Sequence, residues 1–248
     1  MIEIIDLYKS FNGQHVLNGV SLSIAERELT AIIGKSGGGK SVLLKHIIGL
    51  LKPDAGSVVI NEVDITTVSR RELDAVREKL GVCFQGGALF DSQTVYENVA
   101  FPLRERTKMK EREIDARVRR ALNDVGITAA DEKYPAEISG GMKKRVALAR
   151  ALITEPTIVL FDEPTTGLDP IMLNAIHMLI KSAHAKYGFT GFIVSHEIPE
   201  IFDVADRVAV LHEGRIAAAG TAVEIMNSTD PVVREFLTGG REAPRTGA

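Results

Sequence analysis

One stretch of the chain has the residue types needed to bind a chain of phosphates. It reads GKSGGGKS from Gly34 to Ser41 and matches the pattern GxxxxGK[ST]. The apolar run Leu29–Ile33 precedes it and a helical apolar pattern from Val42 follows it, which is the strand-to-helix context that the pattern requires. Glycines let the backbone approach phosphate oxygens, successive amides form an anion nest, and the helix contributes its positive end. The sequence therefore predicts a nucleotide phosphate site.

The pattern also assigns roles within this loop. We expect Lys40 to contact the β- and γ-phosphates of ATP, and the Ser41 hydroxyl to bind Mg²⁺. A glycine-rich turn without a ligand is the alternative, and the strand and helix patterns on either side argue against it. The residues expected to contact the nucleotide here are Ser36, Gly37, Gly38, Gly39, Lys40, Ser41 and Val42.

Two adjacent carboxylates follow another apolar run. Residues Ile158–Phe161 lead directly into Asp162 and Glu163. Ligands bind at the carboxyl ends of strands in open α/β sheets, so both acids are expected at a ligand-binding edge. We expect Asp162 to hold Mg²⁺ and Glu163 to act as the general base for an attacking water. An acidic pair alone fits a solvated turn equally well, but together with the phosphate loop it indicates hydrolysis.

Two further polar side chains come directly after strand patterns. Gln85 follows the run Gly81–Phe84, and its amide is suited to contact both metal and water. His196 follows the run Phe189–Val194 and one serine, where a neutral imidazole is expected to bind the γ-phosphate and hold the water. A structural histidine is the alternative, and the position of His196 at the end of a strand favours a catalytic role.

These residues require a scaffold in which strands alternate with helices. Short apolar runs do alternate with helical patterns along the chain, which is typical of an α/β fold with a mainly parallel sheet. A closing hairpin is predicted across Glu213-Gly214, from Val208–Leu211 to Arg215–Ala218. The predicted strands are Ile2–Leu7, Val16–Ile24, Leu29–Ile33, Ser57–Ile60, Val82–Phe84, Thr157–Phe161, Phe189–Val194 and Arg207–Leu211.

The middle of the chain, from about residue 94 to 150, is helical and strongly charged in pattern. Apolar residues recur there at helical spacing, with charged residues between them: Ile114, Val118, Leu122 and Val125. We interpret this as a solvated helix on a helical insertion, rather than as a surface for nucleic acid. The tail after Leu237 carries glycines and a proline and is expected to be flexible.

Composition excludes several classes of protein. The 248 residues carry a net charge of −3, so there is no bulk positive field for nucleic acid. The single cysteine, Cys83, excludes an internal disulfide, and its apolar surroundings predict a buried thiol. The sequence shows no run of about 20 apolar residues. Glu3 and Asp6 stand where a signal peptide would be basic or apolar, so we expect a cytoplasmic chain.

The order of the motifs resembles the nucleotide-binding domain of ABC transporters. The sequence ISGGM at residues 138–142 precedes a basic helical pattern and then the acidic strand, and TGLD follows at residues 166–169. The resemblance covers nearly the whole chain and implies an α/β P-loop NTPase fold. That fold has a RecA-like parallel-sheet core, N-terminal antiparallel strands and an inserted α-helical subdomain. It implies an ATPase domain over residues 1–237, with its core at 1–85 and 151–237, its helical subdomain at 86–150, and a flexible tail at 238–248.

The resemblance implies further nucleotide contacts. Phe11 matches the aromatic residue that stacks on adenine, with Val16 beside it. The signature loop, which in this family caps ATP held by a partner subunit, is matched by Ser139, Gly140 and Gly141, and the loop at the dimer seam is matched by Asp169. The signature residues also lie at a predicted helix N-terminus, a second anion site. Two chains arranged head to tail can bring both anion sites to each nucleotide, so a homodimer is expected.

A narrower likeness concerns the ATPases of Mce-associated lipid transporters. It is carried by the segments Gly34–Asp54, Phe84–Glu105 and Ile138–Ile171. It implies an integral membrane permease resembling MlaE, an Mce-domain lipid-binding protein in the same complex, and a chain that is peripheral on the inner face of the cell membrane. It also implies phospholipid, or a similar lipid, as the cargo.

Three alternatives remain open in the sequence. The first is the ATPase of an importer for small polar solutes, because the permease selects the cargo. The second is an ABC ATPase without a membrane partner, which normally carries two nucleotide domains or a long coiled-coil insertion, and the 248 residues show neither. The third is a P-loop kinase, which would leave the signature loop and Asp169 unexplained.

Overall fold

The computed structural model describes residues 1–238, which fall into two compact units. The first unit contains residues 1–73 and the chain from 192 onward, and the second contains residues 74–191. The tail predicted to be flexible, from residue 239 on, lies outside the described residues. In residues 1–238, no helix is both long and apolar enough to cross a bilayer.

Strands and helices alternate along most of the chain. The strands are β1 (Ile2–Phe11), β2 (Gln14–Ile24), β3 (Leu29–Gly34), β4 (Ala55–Ile60), β5 (Val63–Asp64), β6 (Leu80–Cys83), β7 (Ile158–Asp162), β8 (Thr190–Val194), β9 (Arg207–His212) and β10 (Arg215–Thr221). The helices are α1 (Lys40–Ile47), α2 (Arg70–Arg77), α3 (Val95–Arg106), α4 (Glu111–Asp124), α5 (Gly140–Leu152), α6 (Pro170–Tyr187), α7 (Ala222–Met226) and α8 (Pro231–Leu237). Every predicted strand is present.

The N-terminal strands form an antiparallel sheet in the first unit. Its order is β2-β1-β4-β5, and the β1–β2 hairpin closes at Asn12-Gly13. The sequence predicted that the first strand ends at Leu7 and that the second begins at Val16. Both bounds were wrong, because β1 continues to Phe11 and β2 begins at Gln14. Asn12 and Gly13 have φ angles of 50° and 80°, as a two-residue hairpin turn requires.

The first unit also contains the strand that carries the phosphate loop. Strand β3 runs parallel to β9, and all six residues of β3 are buried, as expected for a strand of a parallel sheet. Strand β9 continues into β10 through Glu213-Gly214, so the predicted closing hairpin is confirmed. This arrangement sends the chain out of β3 at Gly34 and directly into the loop before α1.

The second unit combines parallel strands with the charged helices. Strand β6 pairs in parallel with β7, from Leu80 opposite Ile158 to Cys83 opposite Phe161. The apolar positions predicted for the charged helix are all buried in the structure: Ile114, Val118, Leu122 and Val125. Helices α3 and α4 lie within residues 86–150, α5 begins there and ends at Leu152, and no strand is described in that range. A separate subdomain with those boundaries stays a prediction, because the compact units divide at other positions.

Strand β6 ends earlier than the sequence predicted. Phe84 was expected to be its last residue, but the strand stops at Cys83 and the Phe84 side chain is 36% exposed. Cys83 itself is buried, as predicted, with its Sγ 3.6 Å from the carbonyl oxygen of Ala147. Burial raises the pKa of the Cys83 thiol to about 12, so this group stays protonated at neutral pH.

Candidate active site

The phosphate loop connects β3 to α1 in the first unit. Helix α1 begins at Lys40, and its N-cap residue, Gly39, has a φ of 99° and provides no side-chain cap. A side chain at position 39 would be strained at this φ, and its Cβ would lie 3.0 Å from the carbonyl oxygen of Val16. The first-turn amides of α1 therefore face the loop without a capping side chain, which suits an anion at the helix N-terminus.

The lysine of the loop is folded inward. Lys40 is 4% exposed, and its Nζ donates hydrogen bonds to the carbonyl oxygens of Gly34 at 2.8 Å and Lys35 at 3.0 Å. These bonds hold the Lys40 ammonium against the start of the phosphate loop, and the end of the same loop presents the first-turn amides of α1. A buried ammonium beside oriented amides is a donor set that fits a polyphosphate.

Two other predicted nucleotide contacts lie on the β1–β2 hairpin of the first unit. Val16 lies next to the loop, since its carbonyl oxygen is the atom that a Cβ at Gly39 would approach, and Phe11 is the last residue of β1. The Phe11 ring is 41% exposed, and the Lys9 ammonium lies 5.5 Å from its centroid. An exposed aromatic ring at the end of a strand is available to stack on a nucleotide base.

His196 comes directly after β8 and is exposed. Ser195, the residue before it, is buried and donates its backbone N–H to the carbonyl oxygen of Ile32 at 3.0 Å. Because Ile32 is two residues before the phosphate loop, the chain that carries His196 is fixed beside the end of β3. The catalytic role of His196 stays a prediction.

The acidic pair ends β7 in the second unit. Asp162 is 9% exposed, and Glu163 has a φ of 47°, which is unusual for a residue other than glycine. The Glu163 Oε2 atom accepts hydrogen bonds from Gln85 Nε2 at 3.0 Å and from Thr166 Oγ1 at 2.9 Å. The structure therefore brings together two of the three predicted catalytic residues, Gln85 and Glu163.

Thr166 did not appear among the predicted site residues. Its hydroxyl orients the Glu163 carboxylate from three residues further along the chain. Such a bond from a threonine hydroxyl within a turn is common, and the sequence EPTT from residue 163 could have indicated it.

The segment after Gln85 is held by long-range contacts that sequence spacing does not reveal. Lys144 donates from Nζ to the carbonyl oxygen of Gln85. Arg150 donates to the carbonyl oxygens of Gly87 at 2.7 Å and Ala88 at 2.8 Å. Both cations lie on α5, about 60 residues away in sequence, so no local pattern could have identified them. Helix α5 thus fixes the backbone that positions Gln85.

Two further predicted residues serve as helix caps in the second unit. Ser139 Oγ accepts from the N–H of Met142 at 3.3 Å, at the start of α5. Asp169 Oδ1 accepts from the amides of Ile171 and Met172 at 3.0 Å each, at the start of α6.

The two glycines of the signature loop have different surroundings. Gly140 has open space around its Cα, whereas a Cβ at Gly141 would run into the Met172 side chain. The close approach at Gly141 packs the start of α5 against the start of α6. A role of this loop as an anion site stays a prediction.

Comparison with known families identifies the protein family that has this set of residues. The sequence model of the family described as "ABC transporter" matches residues 17–166, which include the phosphate loop and the acidic pair. The chain belongs to the ABC transporter family. ATP hydrolysis is the reaction of the nucleotide-binding domains of this family, and the chain is an ABC-type ATPase that binds a nucleotide.

Several curated relatives share nearly the whole chain. The "Probable ribonucleotide transport ATP-binding protein mkl" of Mycobacterium tuberculosis is 44% identical over 98% of this ABC ATPase and 68% of its own length. "Protein TRIGALACTOSYLDIACYLGLYCEROL 3, chloroplastic" of Arabidopsis thaliana is 42% identical over 98% of this chain and 75% of its own length. The "Intermembrane phospholipid transport system ATP-binding protein MlaF" of Escherichia coli is 37% identical over 98% of this chain and 91% of its own length.

Solved structures of ATP-binding cassettes have the same fold. A dimeric cassette in a post-hydrolysis state, bound to ADP and Pi, matches 90% of this chain and 99% of its own with a TM-score of 0.82 at 31% identity. A second match is the protein cbiO1 from Clostridium perfringens, part of the ABC transporter complex cbiONQ. It covers 91% of this chain and 90% of its own, with a TM-score of 0.83 at 35% identity. The predicted P-loop ABC ATPase fold is confirmed.

Proposed function

We propose that this ABC ATPase is the motor subunit of a transporter that moves phospholipid, or a similar lipid, through a partner permease. The observation that carries the proposal is the similarity to MlaF, whose name describes intermembrane phospholipid transport and which the chain matches over 98% of its own length. The chain spans 91% of MlaF, so the similarity extends over nearly the whole of both proteins.

The roles of the nucleotide contacts follow from their chemistry. Phe11 and Val16 contact adenine, while the glycine-rich loop and Lys40 bind the phosphates. A bound Mg²⁺ would be held by oxygen ligands from Ser41, Asp162 and Gln85, and it would neutralise charge on the β- and γ-phosphates. Hydroxyl, carboxylate and amide oxygens are the ligand types that Mg²⁺ prefers, so the residues present fit this ion.

The hydrolytic residues act on the attacking water. Glu163 removes its proton, and the bonds from Gln85 and Thr166 hold that carboxylate in place. His196 orients the water and donates a hydrogen bond toward the γ-phosphate. Family membership supports the roles of Gln85 and Glu163, because both lie within the matched residues 17–166.

Two copies of the chain are proposed to close on ATP head to tail. In this arrangement the signature residues Ser139, Gly140 and Gly141 of one copy face the phosphates bound by the other, with Asp169 near the seam. Support comes from the similar cassettes whose structures are dimers, one of them with ADP and Pi bound. Closure on ATP and opening after hydrolysis would supply the mechanical step to the permease.

The other partners belong to the same proposal. A permease resembling MlaE would form the path across the membrane, and an Mce-domain protein would carry lipid beyond it. The ATPase would then lie on the cytoplasmic side, peripheral on the inner face of the cell membrane. The similarity to MlaF supports this assignment, together with the finding that residues 1–238 include no helix able to span a bilayer.

A different cargo is the second candidate. The mkl relative, at 44% identity, is named for probable ribonucleotide transport. This favours a polar solute, whereas MlaF is named for phospholipid transport and the Arabidopsis thaliana relative for a glycolipid. Two relatives named for lipids, from a bacterium and a plant, support lipid as the cargo.

Deletion of the gene tests the cargo. We expect the deletion strain to show altered distribution of phospholipids between its membranes, measured by membrane fractionation and lipid mass spectrometry. Wild-type protein should restore the distribution, and Glu163→Gln, which lacks the base, should not. Normal lipid distribution together with lost uptake of labelled ribonucleotides would contradict the lipid assignment and favour the second candidate.

A further inference from the structure

A cluster of charged and polar groups lies behind the hairpin that carries Phe11. The Asp54 carboxylate accepts a hydrogen bond from Lys9 Nζ at 2.7 Å through Oδ1, and from the backbone N–H of Ser10 at 2.6 Å through Oδ2. Lys9 Nζ also donates to the carbonyl oxygen of Lys52 at 2.9 Å. We call Lys9, Ser10, Lys52 and Asp54 the Asp54 cluster. It fixes the two residues directly before Phe11 to the segment that follows α1.

The Asp54 cluster extends to the helix of the phosphate loop. His46, on α1, is 1% exposed, and its Nδ1 donates to the carbonyl oxygen of Val42 at 2.8 Å. Burial lowers the pKa of His46, while the carbonyl groups of Val42 and Lys52 and the Asp54 carboxylate oppose this and Lys9 adds to it. His46 and Lys52 line the same pocket, which places the ring near the cluster. Val42, its hydrogen-bond partner, directly follows the two residues predicted to bind phosphate and metal.

The charge on Asp54 strengthens these contacts. The hydrogen bond from Lys9 lowers the pKa of Asp54, and the bond from the Ser10 amide adds to this effect. The Lys9 side chain is 17% exposed and the Asp54 side chain 46%, so water reaches this ion pair mainly from the side of Asp54. The carboxylate is therefore ionised at neutral pH, and each of its two oxygens binds a different donor of β1.

Lys9 also contacts the Phe11 ring directly. Its ammonium lies 5.5 Å from the ring centroid, a cation–π distance, while the same atom binds Asp54 and the Lys52 carbonyl. A single ammonium thus connects the exposed ring to the segment after α1. This connection is independent of the hairpin turn, which holds Phe11 only through β2.

We propose that Asp54 is a positioning residue for nucleotide selection, which fixes Phe11 at a set distance from the phosphate loop. The inference rests on the proposed role of Phe11 as the adenine contact. The two ends of ATP are proposed to bind to different elements, β1 and α1. The Asp54 cluster joins β1 by hydrogen bonds to residues 52–54, which follow α1 in the chain. Without it, backbone pairing would still hold β1 as far as Tyr8, but Lys9, Ser10 and the Phe11 ring would lose their side-chain contacts to residues 52–54. We then expect only ligands that carry a base to lose affinity.

The test uses Asp54→Asn, which keeps the size of the side chain but removes its charge and one acceptor oxygen. We expect ATP affinity, measured by isothermal titration calorimetry, to fall about fivefold, since part of a charged hydrogen-bond pair is lost. Affinity for inorganic tripolyphosphate, which has no base, should stay unchanged. In steady-state assays KM should rise while kcat stays unchanged.

A double-mutant cycle separates positioning from a general structural effect. In a Phe11→Ala background, Asp54→Asn should cause no further loss of ATP affinity, because the ring on which it acts is absent. Asp6→Asn is the matched control, since it makes the same change on β1, where its carboxylate accepts only from Ser21 at 3.1 Å. This control should bind ATP like the wild type.

The outcomes distinguish this inference from the proposed function. Equal losses for ATP and tripolyphosphate in Asp54→Asn would show a merely structural role and overturn the inference. Unchanged ATP affinity in Asp54→Asn, with normal binding by the wild type, would also overturn it and leave the ATPase assignment intact. Failure of Phe11→Ala to weaken ATP binding would instead contradict the proposed role of Phe11, on which the inference rests.

Discussion

At the scale of single residues, the hydrolytic role depends on how Glu163 is held. One of its carboxylate oxygens receives two hydrogen bonds, from Gln85 and Thr166, and its backbone has a positive φ. Non-glycine residues persist in this region only when their surroundings hold them there, and such residues cluster at active sites. The residue that would act as the base is therefore oriented before any ligand binds.

We predict that Glu163→Gln binds ATP but hydrolyses it at least about a hundredfold more slowly, because the general base is lost. The amide keeps the size of the side chain, and the predicted metal ligand Asp162 is unchanged. The variant should accumulate as an ATP-bound dimer, detected by size-exclusion chromatography with light scattering and by release of phosphate. A monomer at saturating ATP would contradict the proposed closure on nucleotide.

Lys40→Ala is the matched comparison for this variant. It removes the ammonium that lies over the phosphate loop, so it should lose ATP binding itself and stay monomeric. The two variants together separate nucleotide binding from hydrolysis. Normal turnover in Lys40→Ala would contradict the assignment of residues 34–41 as the phosphate site.

At the scale of elements, the segment Gly86–Phe90 combines a fixed backbone with an exposed side chain. Arg150 binds the carbonyl oxygens of two of its residues, and Asn98, which is fully buried, bonds both the N–H and the carbonyl of Phe90. The Phe90 ring packs against Phe101, with centroids 4.8 Å apart, but stays 42% exposed. A rigid backbone that presents an aromatic ring suits a docking surface for a partner.

We predict that Phe90→Asp loses binding to the permease while ATP hydrolysis by the isolated chain stays within about twofold of the wild type, as for a surface change away from the nucleotide. Pull-down of the co-expressed permease and a phosphate-release assay measure the two effects. Met178→Asp is the control, because Met178 is 58% exposed and lies on α6. Retained permease binding in Phe90→Asp would show that the ring serves only to pack on Phe101.

The elements themselves were largely predictable from the sequence, and the contacts that hold them were not. Strand β3 was predicted correctly because it is a continuous apolar run, which is typical of a fully buried strand. The apolar face of α4 was predicted correctly because its apolar residues recur at helical spacing. The facing ends of the first two strands were predicted four and two residues from their true positions, and the hairpin between them was not predicted, although Asn12-Gly13 is a strong turn signal. The bonds from Arg150 to Gly87 and from Ser10 to Asp54 join residues more than 40 positions apart, and a single sequence carries no signal for such pairs.

At the scale of the whole molecule, the proposed head-to-tail pair would make each ATP site from two chains. Lys40→Ala damages only the phosphate-loop side of a site, and Ser139→Arg damages only the signature side. Each variant alone should be inactive. In a mixed dimer both defects fall in one site and the other site is intact, so an equal mixture should recover up to about one quarter of wild-type ATPase activity.

The control for this prediction places both substitutions in one chain. A dimer of the double variant with a wild-type chain has one defect in each site, so adding the double variant to wild type should lower the activity per wild-type chain. Absence of any recovery in the mixture of single variants, with the mixed dimer confirmed by native mass spectrometry, would contradict sites shared between chains.

The buried thiol of Cys83 makes the chain convenient for spectroscopy. It is the only cysteine of the sequence, and burial raises its pKa to about 12, so almost no thiolate forms at pH 7. A maleimide dye will therefore react with a cysteine introduced at an exposed position, such as Met178, and leave the native thiol intact. Fluorescence energy transfer between two chains labelled in this way would follow their approach during each catalytic cycle in real time.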